Sequence, residues 1–328
     1  MTRHSDSRSP GGRIAVLAGL LPLALFGCST RSAPASTAPI AVPGVRVVTG
    51  SGQAGTFDAL VAAATRADVI FFGEQHDDPE THRVEFGLLD AIGRSGRPVI
   101  LSLEMFERDV QPLLDDYLAG RLTESDFLAR SRPWDRYVTD YRPMVELAKQ
   151  RGWPVVATNV PRPMASAVGR AGLGYLDTIP ATTRAHAATD IRCPDDAYRA
   201  RFLQEMRGHS SGGAAPARAD TLATATAERF YLAQCVKDET MAESIARALH
   251  RAPPDAILVH YNGSFHSDLG QGTVDRVRRR LPGKRTFLVT AVPVTDLDSA
   301  NASAHDGRAD WIVFTKRLHP RPPAARGR

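Results

Sequence analysis

Four apolar runs in this chain each end in side chains that can carry a proton or bind a metal ion. VIFF at 69–72 leads into Gly73, Glu74, Gln75 and His76. The run at 98–103 ends in Glu104, the run at 153–158 ends in Asn159, and AILVHYNGSFH at 256–266 carries His260, Asn262 and His266. An imidazole beside a carboxylate is a general acid or base whose pKa the neighbour tunes. Two imidazoles (His76 and His266) with two carboxylates (Glu74 and Glu104) also form a donor set for Zn²⁺, Mn²⁺ or Fe²⁺, with a position open for water. These residue types leave metal-assisted and metal-free chemistry equally open. They also admit a plainer reading, in which Glu74 and His76 only satisfy backbone groups at a turn. His82 falls one turn into the next helix and reads as a surface residue or a support behind the ligands.

The elements that must position these groups follow from periodicity. The apolar runs have the length and composition of buried strands. DDPE at 77–80 is a helix start, with an Asp cap, Pro at the first helical position and an acid in the first turn. The helix it opens runs to Gly93 and places Val84, Leu88, Leu89 and Ile92 on one side. Further helices are expected at 57–67, 109–118 and 143–152. Residues 121–141 hold a dense aromatic group, Phe127, Trp134, Tyr137 and Tyr141. From 164 to 250 strand signals vanish, and helices flank a Gly/Ala/Ser-rich loop at 210–219, with Met206 and His209 three apart on one helix face. Strands return at 256–266, 285–292 and 311–314. The pattern predicts an α/β fold, a mainly parallel central sheet with helices on both faces and a helical subdomain inserted at about 164–250. In such a sheet the polar strand ends share one crevice at the carboxyl edge.

At 328 residues and 43% hydrophobic, the chain can bury a full core. The net charge of +5 belongs to the termini. Residues 1–27 carry Arg3, Arg8 and Arg13 against Asp6, and the last thirteen add Lys316, Arg317, Arg321, Arg326 and Arg328 with no acid. The body is about neutral or slightly acidic, so nothing points to a nucleic-acid partner. A polar, basic start followed by IAVLAGLLPLALFG at 14–27 is a secretory signal, too short to span a bilayer. Leu25, Phe26, Gly27 and Cys28 resemble the lipobox of bacterial lipoproteins. That resemblance implies cleavage before Cys28, its lipidation and a firm anchor in a lipid membrane. The same resemblance implies that Ser29, rather than Asp, after the cysteine favours the outer membrane in a Gram-negative cell. Residues 28–44 read as a flexible tether and 318–328 as a disordered basic tail. Cys193 and Cys235 could pair as a disulfide in an oxidising compartment or remain two buried thiols; the disulfide is the expectation carried forward. No P-loop, dinucleotide fingerprint or nucleophile elbow is present.

Five motifs, GEQHDDPETH at 73–82, LEMFER at 103–108, ATNVPR at 157–162, AQCVKDETMA at 233–242 and HYNGSFH at 260–266, resemble the ChaN family. These are bacterial lipoproteins described as haem-binding and linked to iron uptake. The family is in turn similar to Tiki metallopeptidases and erythromycin-esterase-like proteins, which share the Gly-Glu-x-His start and a late Gly-x-x-His element. The match spans about 45–317. It implies a homodimer holding haem between monomers, with a Tyr on the iron and His near the propionates. No motif maps that Tyr. Tyr141 and Tyr137, beside Trp134, are the first candidates, with Tyr198 and Tyr231 open, and His209 is the leading His outside the crevice. Tyr137 and Tyr141 could equally be aromatic packing under a loop. Tiki-like carry-over makes His76, Glu104 and His266 the metal set, with Glu74 a ligand or base. The expectation is a lipid-anchored protein on the periplasmic face of the outer membrane that binds haem, serves iron uptake and meets an outer-membrane haem receptor. Two alternatives stand beside it: a metal-dependent peptidase or esterase, and an envelope binding protein for another ligand.

Overall fold

The computed structural model describes residue 42 and residues 44–210 and 217–317, without the side chains of 208–210 and 217–223. The signal segment, Cys28, most of the tether and the basic tail lie outside the described residues.

The apolar runs become strands, and they pair into one sheet. In chain order these are β1 (Val45–Thr49), β2 (Ala54–Gly55), β3 (Val69–Glu74), β4 (Val99–Glu107), β5 (Val155–Asn159), β6 (Ile257–Gly263), β7 (Thr286–Val294) and β8 (Trp311–Lys316). Their spatial order is β2-β1-β8-β7-β3-β6-β4-β5. The pairs β3–β6, β3–β7, β4–β6, β4–β5 and β7–β8 are parallel, and the far edge is antiparallel, with β1 paired to β8 and the short β2 to β1. The four strands with polar ends, β3, β6, β4 and β5, are therefore contiguous. β4 continues past Glu104 to Glu107, with an irregularity in its pairing to β5 between Leu103 and Glu107.

Alternation along the strands sorts side chains to two faces. Ile70, Phe72, Leu101, Leu103, Val259 and Tyr261 pack with helix Pro79–Gly93 and helix Arg142–Arg151. Phe71, Ile100 and Leu258 face the other way, against helix Ala217–Arg251 and helix Thr273–Arg280. Both faces are covered, as parallel strands buried on two sides require. Helix Pro79–Gly93 starts as its sequence dictates: Asp78 Oδ2 accepts the Thr81 amide at 3.1 Å behind Pro79. The segment between β5 and β6 is helical, with helices Arg162–Ala171, Ala197–Ser210 and the thirty-five-residue Ala217–Arg251.

Two glycines set the site's geometry. A Cβ on Gly73 would lie 2.9 Å from the Ser264 Cα, so no larger residue fits where β3 turns out of the sheet. A Cβ on Gly263 would lie 2.8 Å from His76 Nε2, so the glycine lets the imidazole lie against the end of β6.

Candidate functional site

Strand parity divides the polar residues into two clusters on opposite faces of the sheet. Glu74 shares the face of Ile70 and Phe72, looking at helix Pro79–Gly93. Its Oε1 accepts from Tyr141 Oη at 2.7 Å and from His76 Nδ1. Its Oε2 is buried, has no hydrogen-bond partner and lies 3.6 Å from His82 Nδ1. His82 Nδ1 is 2.8 Å from Glu85 Oε2, and its Nε2 is 3.4 Å from Asp140 Oδ2 and 3.3 Å from the His76 carbonyl. Burial alone would raise Glu74, but the His76 hydrogen bond and the charges of His76 and His82 hold it at about 2. The same pairing pushes His76 up to about 9 against the effect of burial. Burial and the neighbouring Glu74 charge drive Glu85 well above the usual carboxylate range.

Glu104 belongs to the opposite face, with Ile100 and Ser102. Its Oε2 accepts the Gly263 amide at 2.7 Å, and its Oε1 is 3.5 Å from His266 Nε2. His266 Nδ1 donates to Asp238 Oδ1 at 2.6 Å. Asp238 also accepts from Thr273 Oγ1 at 2.7 Å and, through Oδ2, from Tyr198 Oη at 2.8 Å. Burial pushes Glu104 and Asp238 up, yet both stay below their usual range because His266 offsets it, aided by His76 for Glu104 and by Arg276 for Asp238.

His76 joins the two clusters. Its ring lies over Gly263 near Glu104 and edge-on to Trp134, with centroids 4.8 Å apart. It opens on a cavity of about 320 Å³ whose walls include Trp134, Pro133, Tyr141, Arg136 and Arg162.

Several sequence expectations need correction. The crevice residues Glu74, His76, Glu104 and His266 lie near one another, but their donor atoms are not a group within 4.8 Å of one another. Among the described residues, the group of donor atoms lying within 4.8 Å of one another is Glu74, His82 and Glu85. His82 is 4% exposed, so it is no surface residue. His260 is fully buried one layer beneath the crevice, with Nδ1 2.9 Å from Ser102 Oγ, and burial holds it down at about 4. Asn262 donates to the Gly263 carbonyl and to Ser267 Oγ, and Asn159 accepts its own next amide, so both serve the backbone at strand ends. Tyr141 reaches the cavity. Tyr137 does not: it packs against Phe106 and Phe127, and its hydroxyl is buried without a partner. Tyr198 and Tyr231 are committed to Asp238 and to the Pro194 carbonyl. Cys193 and Cys235 are adjacent free thiols, not a disulfide, and burial followed by the Cys193 contact raises Cys235. The His209 side chain lies outside the described residues.

Asp238, Glu85 and Asp140 were not singled out from the sequence. Glu85 carried a signal, standing three residues after His82 on one helix face. Asp238 lies inside AQCVKDETMA, yet nothing local pairs it with His266, 28 residues away.

A family model described as haem-binding uptake, Tiki superfamily, ChaN matches residues 60–277. Among solved structures, the cofacial haem-binding ChaN of Campylobacter jejuni is 14% identical, with a TM-score of 0.60, covering 84% of this chain and 98% of its own. An erythromycin esterase in its open conformation is 11% identical, with a TM-score of 0.44, covering 76% and 77%. No curated protein matches the chain. At these identities the solved structures bear on the fold alone. The family match covers well over half of the sequence, and the chain belongs to the ChaN family of haem-binding uptake proteins in the Tiki superfamily.

Proposed function

We propose that this protein is a lipid-anchored component of the cell envelope that binds haem for haem and iron uptake. The observation that carries the reading is the cavity beside His76 in a chain of a haem-binding family. Its walls fit a planar, apolar, dianionic ligand. Trp134 offers a flat apolar surface, and Arg136 and Arg162 offer cations to carboxylates, beside Asp77 and Asp135 in the same wall. His76 and Tyr141 are the two ring donors at its floor, and Tyr is an accepted iron ligand. Both rings donate to Glu74 Oε1, and the Glu74 charge favours the protonated forms of the His76 imidazole and the Tyr141 phenol, so either ring would have to release its proton to reach iron. A haem on Trp134 would leave one face outward, which suits a second copy closing over it in a homodimer. Cys28 and the preceding apolar segment supply the lipid anchor, and an outer-membrane haem receptor is the partner that uptake would need.

Haemin titrated into the purified chain should give a saturable Soret band, weakened in Trp134→Ala and shifted in Tyr141→Phe or His76→Ala. A band that no cavity variant alters would sink the assignment of the cavity; no saturable band would sink the haem reading.

One observation favours a second reading, a hydrolase acting on ester or peptide bonds. Asp238 fixes the proton on His266 Nδ1 and so aims Nε2 at Glu104. That is the geometry of an oriented general base, and it works without a metal ion. Turnover of an ester or peptide that disappears in His266→Ala would put this reading first.

A further inference from the structure

We propose that Glu74, His82 and Glu85 hold one divalent first-row transition-metal ion in a buried site between β3 and helix Pro79–Gly93, with Asp140 orienting His82. The site lies behind the cavity rings His76 and Tyr141, to which Glu74 is hydrogen-bonded, and the assignment does not depend on the haem reading.

The donor atoms of the three residues all lie within 4.8 Å of one another. Each carboxylate around the site leaves an oxygen over. Glu74 uses Oε1 for His76 and Tyr141, and its Oε2 meets no N–H or hydroxyl donor, only the neighbouring Glu85 carboxyl. Glu85 uses Oε2 for His82 and leaves Oε1. Asp140 takes Thr139 Oγ1 on Oδ1 and turns Oδ2 toward His82 Nε2 at 3.4 Å and Arg136 Nε at 4.0 Å. Glu74, Glu85 and Asp140 are 1%, 0% and 5% exposed, so water does not supply the missing bonds from outside. An unsatisfied buried oxygen is costly, and an ion, an internal water or a shared proton is the usual reason one survives.

His82 supplies the second, independent observation. A metal-bound imidazole characteristically gives its other ring N–H to a carboxylate or a backbone carbonyl. The His82 Nε2 faces both, Asp140 Oδ2 at 3.4 Å and the His76 carbonyl at 3.3 Å. Nδ1 is thereby turned toward Glu85 at 2.8 Å and Glu74 at 3.6 Å. Tyr261 fixes the approach of the helix by donating to the Glu85 carbonyl at 2.9 Å. One imidazole nitrogen with carboxylate oxygens suits Zn²⁺, Mn²⁺ or Fe²⁺. It does not suit Ca²⁺, which takes six to eight oxygens, or Cu(I), which takes sulfur. The competing account is a proton shared between Glu74 and Glu85.

The test loads the full chain with Zn²⁺ alone, or Mn²⁺ alone, removes free ion by gel filtration and measures metal per chain. Close to one ion per chain should remain in the wild type and in Glu104→Gln and His266→Ala, and should be lost in Glu85→Gln and His82→Ala. The thermal midpoint should rise on loading the wild type and stay unchanged on loading Glu85→Gln. If Glu85→Gln does not fold, Asp140→Asn decides, with an expected Kd about 10–100-fold weaker; an unchanged Kd overturns the assignment. Failure of the wild type to retain an ion, with Glu85→Gln as stable as the wild type, would establish the shared proton instead. Retention in Glu85→Gln with loss in Glu104→Gln or His266→Ala would move the metal to the crevice and overturn the proposal.

Discussion

The two faces of the sheet use the same ingredients, imidazole and carboxylate, but the acid at the centre of each is satisfied to a different degree. On the Asp238 face both oxygens of the central acid are taken, by His266, Thr273 and Tyr198. On the Glu74 face, three acids surround His82 and leave three buried oxygens without partners. A carboxylate with both oxygens bonded holds one geometry, although His260 Nε2, Asn262 Oδ1 and Arg276 Nε on the same face are also buried without hydrogen-bond partners. A carboxylate with an oxygen left over keeps coordination capacity for something that arrives later. The difference locates rigidity behind His266 and binding capacity around His82, with His76 between them.

Four changes would break or sharpen that contrast. The largest effect belongs to Asp238→Ala, which strands His266, Tyr198 and Thr273 on the Asp238 face; it should destabilise the fold by about 3–5 kcal/mol. Chemical unfolding measures this, and a loss below about 1 kcal/mol would erase the claim that this face is the rigid one. Next is pH. His260, buried beneath the same network, has its pKa lowered to about 4 from an ordinary 6.5. A lowered His pKa means the unfolded chain takes up the proton first. Its contribution is complete above pH 6.5 and is lost as pH falls from there toward 4. The size is about 3 kcal/mol at roughly 1.4 kcal/mol per unit. Unfolding curves across that window should be flatter in His260→Gln than in the wild type; parallel curves would rule the effect out.

On the other face, Tyr141→Phe removes one of the two donors to Glu74 Oε1. A bond to a buried charge is worth about 1.5–3 kcal/mol. The loss should fall at the low end, because His76 remains, and an effect as large as that of Asp238→Ala would make the two faces equally rigid. The smallest expected effect is that of Gly263→Ala. Its Cβ would press His76 Nε2 from 2.8 Å, but the imidazole side chain is 44% exposed and can swing away. Stability should change by under about 1 kcal/mol, while the haemin spectrum shifts. Lost stability with an unchanged spectrum would show that His76 is structural.

The architecture was legible because it rests on local patterns. Apolar runs of strand length, an Asp78 cap before Pro79 and helical spacing between them led to a parallel sheet with its polar ends on one edge, and that sheet is what the chain forms. The five motifs, read together, led to the family. Strand ends identify which residues sit near the crevice, but not which side of the sheet each one takes. That depends on the parity of each strand and on the helices above it. Glu74 and Glu104 both lie toward the ends of buried strands, yet they face opposite layers of the sheet.

The sequence by itself therefore determined the fold class, the carboxyl-edge location of the polar groups and the family. The tertiary structure alone decided the partnerships. It joined Asp238 to His266 across 28 residues and Asp140 to His82 across helices. It buried Tyr137 in the aromatic core while leaving Tyr141 at the cavity, and it kept Cys193 and Cys235 as thiols. Local sequence carries periodicity and capping because those interactions reach three or four residues along the chain. Hydrogen bonds between separate elements depend on how the layers stack, and no spacing along the chain encodes that.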